Sequence, residues 1–111
     1  MHITFVKKIK ADGMPCRKCA EVEERLEKAG QMPRIDEVVI ADERDPGSPG
    51  MRLAARYGVE QAPFFIVDDG KGPPRIYTIY LRFVKEVLGG AVNEADEAKE
   101  ILERNPDLDF I

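Results

Sequence analysis

The chain contains 111 residues with a formal net charge of −4 at pH 7, and 43% of them are hydrophobic while 34% are charged. A chain of this length can form one domain with a hydrophobic core that needs no disulfide clamp. Its acidic balance excludes the basic patch that binds a phosphate backbone, so we expect no nucleic-acid partner.

The N-terminal residues predict where the protein resides. Residues 1–8 contain a short apolar stretch that runs into lysines, and they lack the hydrophobic region and small-residue cleavage site of a signal peptide. No apolar run approaches the roughly 18 residues of a membrane-spanning helix. We therefore expect a cytoplasmic protein without a membrane partner, in a compartment where thiols are kept reduced.

The first elements are a strand and an amphipathic helix. Apolar residues at 3–6 and at Ile9 predict a strand, and residues 12–15 predict a turn. From residue 16 to residue 29 apolar residues recur at steps of three and four, which predicts a helix that begins at Cys16 and ends at Gly30. The predicted apolar face consists of Cys19, Val22, Leu26 and Ala29.

A second strand and helix follow in the middle of the chain. Residues 35–41 include the buried run 38–40 and predict a short strand. Ser48 is the predicted N-cap of the next helix, with Pro49 in its first turn and Gly58 at its end.

The second half of the chain predicts two strands and two helices. Residues 64–67 and 75–79 predict strands joined by a glycine- and proline-rich turn, and residues 81–88 predict a helix that Gly89 ends. Asn93 is the predicted cap of a last helix over residues 94–104, which ends before Pro106. The predicted apolar stripe of this helix consists of Ala95, Ala98, Ile101 and Leu102. The helix could cover an open sheet edge, dock on the core or contact a partner, and Leu108, Phe110 and Ile111 could anchor it.

These elements define the fold class and the domains. Strands that alternate with helices predict an α/β fold with a mixed four-stranded sheet, flanking helices and an added C-terminal helix. We expect residues 1–90 to form the core and residues 91–111 to form a helical extension packed on or beside it.

The two cysteines, Cys16 and Cys19, are the only ones in the chain, and they stand at the predicted start of the first helix. A Cys-x-x-Cys pair in this position can alternate between dithiol and disulfide or bind a soft metal ion. In a reducing compartment, either chemistry is favoured over a structural disulfide.

At this point the chain resembles the thioredoxin and glutaredoxin superfamily. The resemblance covers about residues 1–90 and depends on Cys16-Arg17-Lys18-Cys19, on the order of elements, and on the segment 57–67 with Pro63 before a strand. It implies a thioredoxin-like fold in which Pro63 is cis and Ala62 offers its backbone to an extended substrate. We expect Pro15, Ala62 and Pro63 to bind substrate.

The resemblance implies a thiol–disulfide oxidoreductase that acts on protein disulfides, with no cofactor and with an unidentified reductase as its second partner. Cys16 is the predicted nucleophile, because first-turn amides and the helix dipole stabilise a thiolate there. Arg17 and Lys18 are predicted to tune the acidity of the pair. Cys19, one turn later, is the predicted resolving thiol.

Three differences set the chain apart from an ordinary thioredoxin. Pro15 stands where thioredoxins have Trp, and Arg17-Lys18 replaces Gly-Pro. Lys10 occupies the position of the buried thioredoxin acid, which leaves the proton acceptor of Cys19 unassigned. Gly89-Gly90 follows a helical stretch rather than the fourth strand, which argues against the use of glutathione.

Two other functions are open on the sequence alone. Residues 13–20 resemble the Gly-Met-x-Cys-x-x-Cys loop of copper chaperone domains, so Cys16 and Cys19 could instead bind copper or zinc. The segment 62–65 has no counterpart in those domains. The chain could also be a thioredoxin-like interaction module whose cysteines are not used in catalysis.

Overall fold

The order of elements in the computed structural model follows the predicted order. The model describes residues 1–104, so the expectations for Pro106, Leu108, Phe110 and Ile111 lie outside the described residues. Within the described part, no helix has both the length and the apolar character needed to cross a bilayer. The elements are β1 (His2–Ile9), α1 (Arg17–Lys28), a 3-10 turn (Met32–Arg34), β2 (Glu37–Asp42), α2 (Pro49–Tyr57), β3 (Phe64–Asp68), β4 (Arg75–Tyr77), α3 (Tyr80–Phe83), a π-helical turn (Val84–Leu88) and α4 (Glu94–Arg104).

The four strands form one mixed sheet in the order β2-β1-β3-β4. β1 is parallel to β2, with Phe5 opposite Val38, and antiparallel to β3, with Phe5 opposite Phe65. β4 pairs with β3 in the antiparallel direction. The predicted α/β fold is confirmed: the layout is thioredoxin-like, with a mixed four-stranded sheet, flanking helices and an added C-terminal helix.

Apolar side chains on the two central strands alternate between two cores, because successive residues of a strand face opposite sides of the sheet. On one side, the ring of Phe65 stacks on Phe5 and Phe83 with ring centroids 5.1 and 3.9 Å apart. Val22 and Leu26 of α1 cover this cluster. On the other side, Val6, Phe64 and Ile66 pack with side chains of α2, including Met51, Leu53 and Ala54.

The start of α2 combines predicted and unpredicted features. Ser48 is the N-cap residue, as predicted, but its hydroxyl does not cap the helix. Instead, Ser48 Oγ accepts a hydrogen bond from the amide of Asp42 at 3.0 Å, which ties the helix start to β2. A side chain at Gly50 would collide with the backbone of Ala41, so glycine permits this close approach. Gly58 ends the helix in the left-handed conformation with φ 66°.

The apolar stripe predicted on α4, whose role the sequence leaves open, is mostly exposed, with only Ile101 half-buried among its four residues. Ala95 and Ala98 are exposed and Leu102 is 49% exposed, whereas the buried side chains of the helix are those of Glu97 and Glu100. The predicted cap is confirmed, because Asn93 Oδ1 accepts a hydrogen bond from the amide of Ala95 at 2.8 Å. The helix therefore docks through carboxylates rather than through an apolar face.

Two carboxylates of α4 bind α3 and the π-helical turn that follows it. Glu97 lies 2.7 Å from Nζ of Lys85 and 3.5 Å from Nε of Arg82. Glu100 accepts hydrogen bonds from the backbone amides of Tyr80 and Leu81. A helix start has amide donors without intrahelical partners, and the Glu100 carboxylate satisfies two of them.

Candidate functional site

After β1 the chain reverses direction, so that Cys16 lies beside the C-terminal end of that strand. Gly13 adopts φ 83°, a conformation that favours glycine, and the chain then reverses. Pro15 forms an isolated β-bridge with Ile9, and the amide of Cys16 donates a hydrogen bond to the carbonyl of Lys8 at 3.0 Å. Cys16 is thus fixed by backbone bonds beside the C-terminal end of β1.

The two cysteines occupy the first turn of α1. Cys16 is the N-cap residue, and its Sγ accepts a hydrogen bond from the amide of Cys19 at 3.3 Å. Both residues are free thiols, with 7% of Cys16 and 2% of Cys19 exposed. A sulfur at an N-cap accepts a bond from an otherwise unpaired amide and lies at the positive end of the helix dipole. The predicted position of Cys16 at the helix start is confirmed.

The environment of Cys19 raises the pKa of its thiol. Burial raises the pKa of the Cys19 thiol to about 12, and its hydrogen bond and charge interaction with Cys16 act in the same direction. The amide of Lys8, which donates to Cys19 Sγ at 3.4 Å, opposes this shift but does not cancel it. Cys19 is therefore a protonated thiol at neutral pH.

A third segment of chain faces the cysteines. The bond between Ala62 and Pro63 is cis, as predicted, and both residues are buried. Cys16, Cys19 and Ala62 form a small cluster of their own. Cys16 Sγ lies 3.8 Å from the carbonyl oxygen of Ala62. The fold thus brings together Cys16, Cys19, Ala62 and Pro63, which are far apart in the sequence.

The other predicted site residues lie around this cluster. Pro15 is exposed and lines a cavity of about 230 Å³ that both cysteines also line. Arg17 has 95% of its side chain exposed, and its Nε lies 3.9 Å from Glu21. Lys18 is half-buried and lines a separate cavity of about 240 Å³. Their roles in tuning the thiols stay predictions.

An ion pair shares the cavity of the two cysteines. Lys7 Nζ lies 3.0 Å from Glu23 Oε2, and both side chains line the same space as Cys19. Glu23 follows Cys19 by four residues and so lies on the same face of α1. The spacing of Cys19 and Glu23 was visible in the sequence, but only the packing of α1 on β1 shows that Lys7 joins them.

Arg104 is the residue of this region that sequence reasoning missed. Its Nη1 donates to the carbonyl of Ala62 at 3.0 Å, its Nη2 to that of Pro63 at 2.8 Å and its Nε to that of Thr78 at 3.2 Å. The carbonyl of Arg104 accepts a hydrogen bond from Nε2 of Gln61 at 2.7 Å. No local pattern marks an arginine at a helix end for such contacts.

No family model matches the chain, and no curated protein matches it. Among residues 1–104, no group of three or more His, Cys, Asp or Glu side chains is placed to hold a metal ion. Two thiols one helical turn apart can form a disulfide or bind a soft metal ion.

Proposed function

We propose that the chain is a thiol–disulfide oxidoreductase that uses Cys16 and Cys19 on protein disulfides. The observation that carries the proposal is the asymmetry of the pair: both thiols are buried, but Cys16 Sγ caps α1 by accepting a hydrogen bond from the amide of Cys19, whereas the more deeply buried Cys19 keeps its proton. A nucleophile and a resolving thiol require this difference. We also propose membership of the thioredoxin and glutaredoxin superfamily, supported by the motif and the thioredoxin-like layout.

The proposed reaction begins at the thiolate of Cys16. This sulfur attacks one sulfur of a substrate disulfide, so that the substrate S–S bond breaks and a bond from Cys16 to the substrate forms. The departing substrate thiolate takes a proton from solvent. In this proposal the backbone of Ala62, whose carbonyl oxygen lies 3.8 Å from Cys16 Sγ, borders the extended substrate.

Cys19 completes the reaction. Its thiol loses a proton to the second departing substrate sulfur and attacks Cys16 Sγ, which forms the Cys16–Cys19 disulfide. Two electrons pass from the cysteine pair to the substrate, and a second partner, an unidentified reductase, returns the pair to the dithiol. In the laboratory, dithiothreitol supplies these two electrons.

Reduction of insulin by dithiothreitol tests the proposal, with turbidity as the measure of chain separation. The chain is expected to accelerate the reduction, and Cys16→Ser is expected to lower the rate to that of dithiothreitol alone. Reduced Cys19→Ser, freed of dithiothreitol before it is mixed with insulin, is expected to accumulate a mixed disulfide with the substrate, visible as an added mass on the intact protein.

Cys16→Ser is the matched control for this trap, because it also retains one thiol but has no N-cap sulfur. If the unaltered chain reduces insulin no faster than dithiothreitol alone, the proposed activity is wrong. If Cys16→Ser traps substrate as efficiently as Cys19→Ser, the assignment of the two roles is wrong.

A further inference from the structure

Arg104 is held in a fixed orientation beside the cysteine pair. Its planar guanidinium carries N–H donors in fixed directions, and three different nitrogens bind the carbonyls of Ala62, Pro63 and Thr78. In the opposite direction, Gln61 binds the carbonyl of Arg104. Bonds in both directions join the end of α4 to the loop before β3, so the guanidinium cannot turn away without breaking them.

The charge of Arg104 lies close to the sulfur of Cys16. Nη1 of Arg104 and Sγ of Cys16 both contact the carbonyl oxygen of Ala62, at 3.0 and 3.8 Å, so a single oxygen atom separates the cation from the sulfur. Burial lowers the pKa of Arg104, while Glu100 and the two thiols oppose that shift. An arginine remains protonated at any working pH, so the reacting sulfur has a permanent positive charge beside it.

The other cations near the pair are either exposed or paired with a carboxylate. Arg17 is almost fully exposed, Lys7 lies 3.0 Å from Glu23, and Lys8 lies 3.8 Å from Glu43. The carboxylate of Glu100 accepts hydrogen bonds from two backbone amides at the start of α3. Arg104 is half-buried, and a half-buried charge is screened less by water and salt than an exposed one.

We infer that Arg104 determines specificity at this site and favours disulfides that have acidic residues close to the attacked sulfur. The inference rests on the proposed function for its substrate, but its physical basis, a positive potential at Cys16, is measurable without any disulfide. A substrate carboxylate near the sulfur is attracted by the guanidinium, whereas a substrate lysine is repelled.

Alkylation with a charged and a neutral reagent measures the potential at Cys16. In the Cys19→Ser chain, iodoacetate and iodoacetamide both react with the single Cys16 thiolate, and the sulfur displaces iodide in each case. The ratio of the two rate constants therefore does not depend on the ionised fraction. We expect Arg104→Gln to lower the iodoacetate-to-iodoacetamide ratio about threefold at low salt, with the difference shrinking in 1 M NaCl.

Two further variants separate charge from structure. Arg82→Gln also removes one positive charge and one contact to α4, since Arg82 pairs with Glu97, and it is expected to leave the ratio unchanged. Arg104→Lys keeps the charge without the planar fork and is expected to retain most of the parent ratio. A ratio in Arg104→Gln equal to the parent value overturns the inference, as does an equal fall in Arg82→Gln or Arg104→Lys.

Two peptide disulfides test whether Arg104 affects the choice of substrate. They contain the same intramolecular disulfide, flanked by glutamates in one and by lysines in the other. We expect the unaltered chain to reduce the acidic peptide faster and Arg104→Gln to lose about threefold of that preference. If the chain reduces the peptides but Arg104→Gln has the parent alkylation ratio, the inference about Arg104 is wrong and the proposed function is unaffected. Failure to reduce either peptide with the alkylation effect intact overturns the proposed function and leaves the charge assignment supported.

Discussion

The two helices that bring side chains to the cysteine site are fixed to the rest of the molecule by different forces. α1 buries an apolar face, with Val22 and Leu26 fully inaccessible to water. α4 buries two carboxylates instead, and its Arg104 binds three backbone carbonyls. The helix that carries the cysteines thus depends on hydrophobic burial, whereas the helix that carries the nearby cation depends on ion pairs and hydrogen bonds.

This difference matters because the two forces respond to different conditions. Burial of apolar surface is insensitive to pH, while ion pairs weaken with salt and disappear when a partner loses its charge. We therefore expect the position of Arg104 to vary with solution conditions under which Cys16 and Cys19 stay in place. Substitutions on the two helices should show the same division.

The largest effect is expected for Leu26→Ala on α1. Leu26 is completely buried in the core beneath the sheet, and removing its side chain leaves a cavity in a packed region. We expect the free energy of unfolding to fall by about 3 kcal/mol, independently of salt. Urea unfolding followed by far-UV circular dichroism measures it. Glu27→Ala, at the exposed neighbouring position, should change stability little, and an equal loss in both variants would contradict the assignment of the apolar face.

A smaller effect is expected for Glu100→Gln on α4. The substitution removes the charge and places an amide donor where Glu100 now accepts from the amides of Tyr80 and Leu81. One buried backbone donor then lacks an acceptor, and we expect a loss of about 1–2 kcal/mol in the same measurement. Glu103→Gln is the matched control, since Glu103 is exposed on the same helix. If both variants are as stable as the parent, the carboxylate does not anchor α4.

The smallest effect is expected for Glu97→Gln, and it should depend on pH. The hydrogen bond from Lys85 holds the pKa of the Glu97 carboxyl below its ordinary value of 4.5. A carboxyl whose pKa is lowered by folding stabilises the protein above pH 4.5, and this contribution is lost as the pH falls through the lowered value.

The difference in melting temperature between the parent and Glu97→Gln should therefore be positive at pH 7 and shrink progressively as the pH falls below 4.5. Thermal unfolding by circular dichroism over this pH range measures it. A difference that stays constant from pH 7 to pH 3 would show that the pair does not contribute through charge.

The sequence predicts both α1 and α4 as helices, but it identifies the buried face of α1 and not that of α4. Hydrophobic periodicity finds the buried face of a helix only where apolar burial is what docks it. On α1, the predicted positions Cys19, Val22 and Leu26 are buried, whereas Ala29 is exposed. On α4, the apolar stripe faces outward at Ala98 and Leu102, because the glutamates find cations and amides on α3 and the adjoining turn.

The residues of the candidate site likewise fall into those that the sequence predicts and one that it does not. The Cys16–Cys19 spacing and Pro63 are local signals, and they identify two segments that the fold does bring together. Arg104 could not be found, since its contacts require the end of α4, the loop before β3 and the residue after β4 to meet in space. The spacing of residues along the chain does not indicate contacts between such distant segments.

Tyr80 contacts both α1 and α4, so its fluorescence can report on how the two helices are arranged. The guanidinium of Arg25 on α1 lies 4.8 Å from the centre of the Tyr80 ring, while Glu100 of α4 binds the Tyr80 amide. The chain has three tyrosines and no tryptophan, so tyrosine emission is not masked by tryptophan fluorescence. Release of α4 should thus change the intrinsic fluorescence of the unlabelled chain, and a tryptophan introduced at any chosen position would be observed without background.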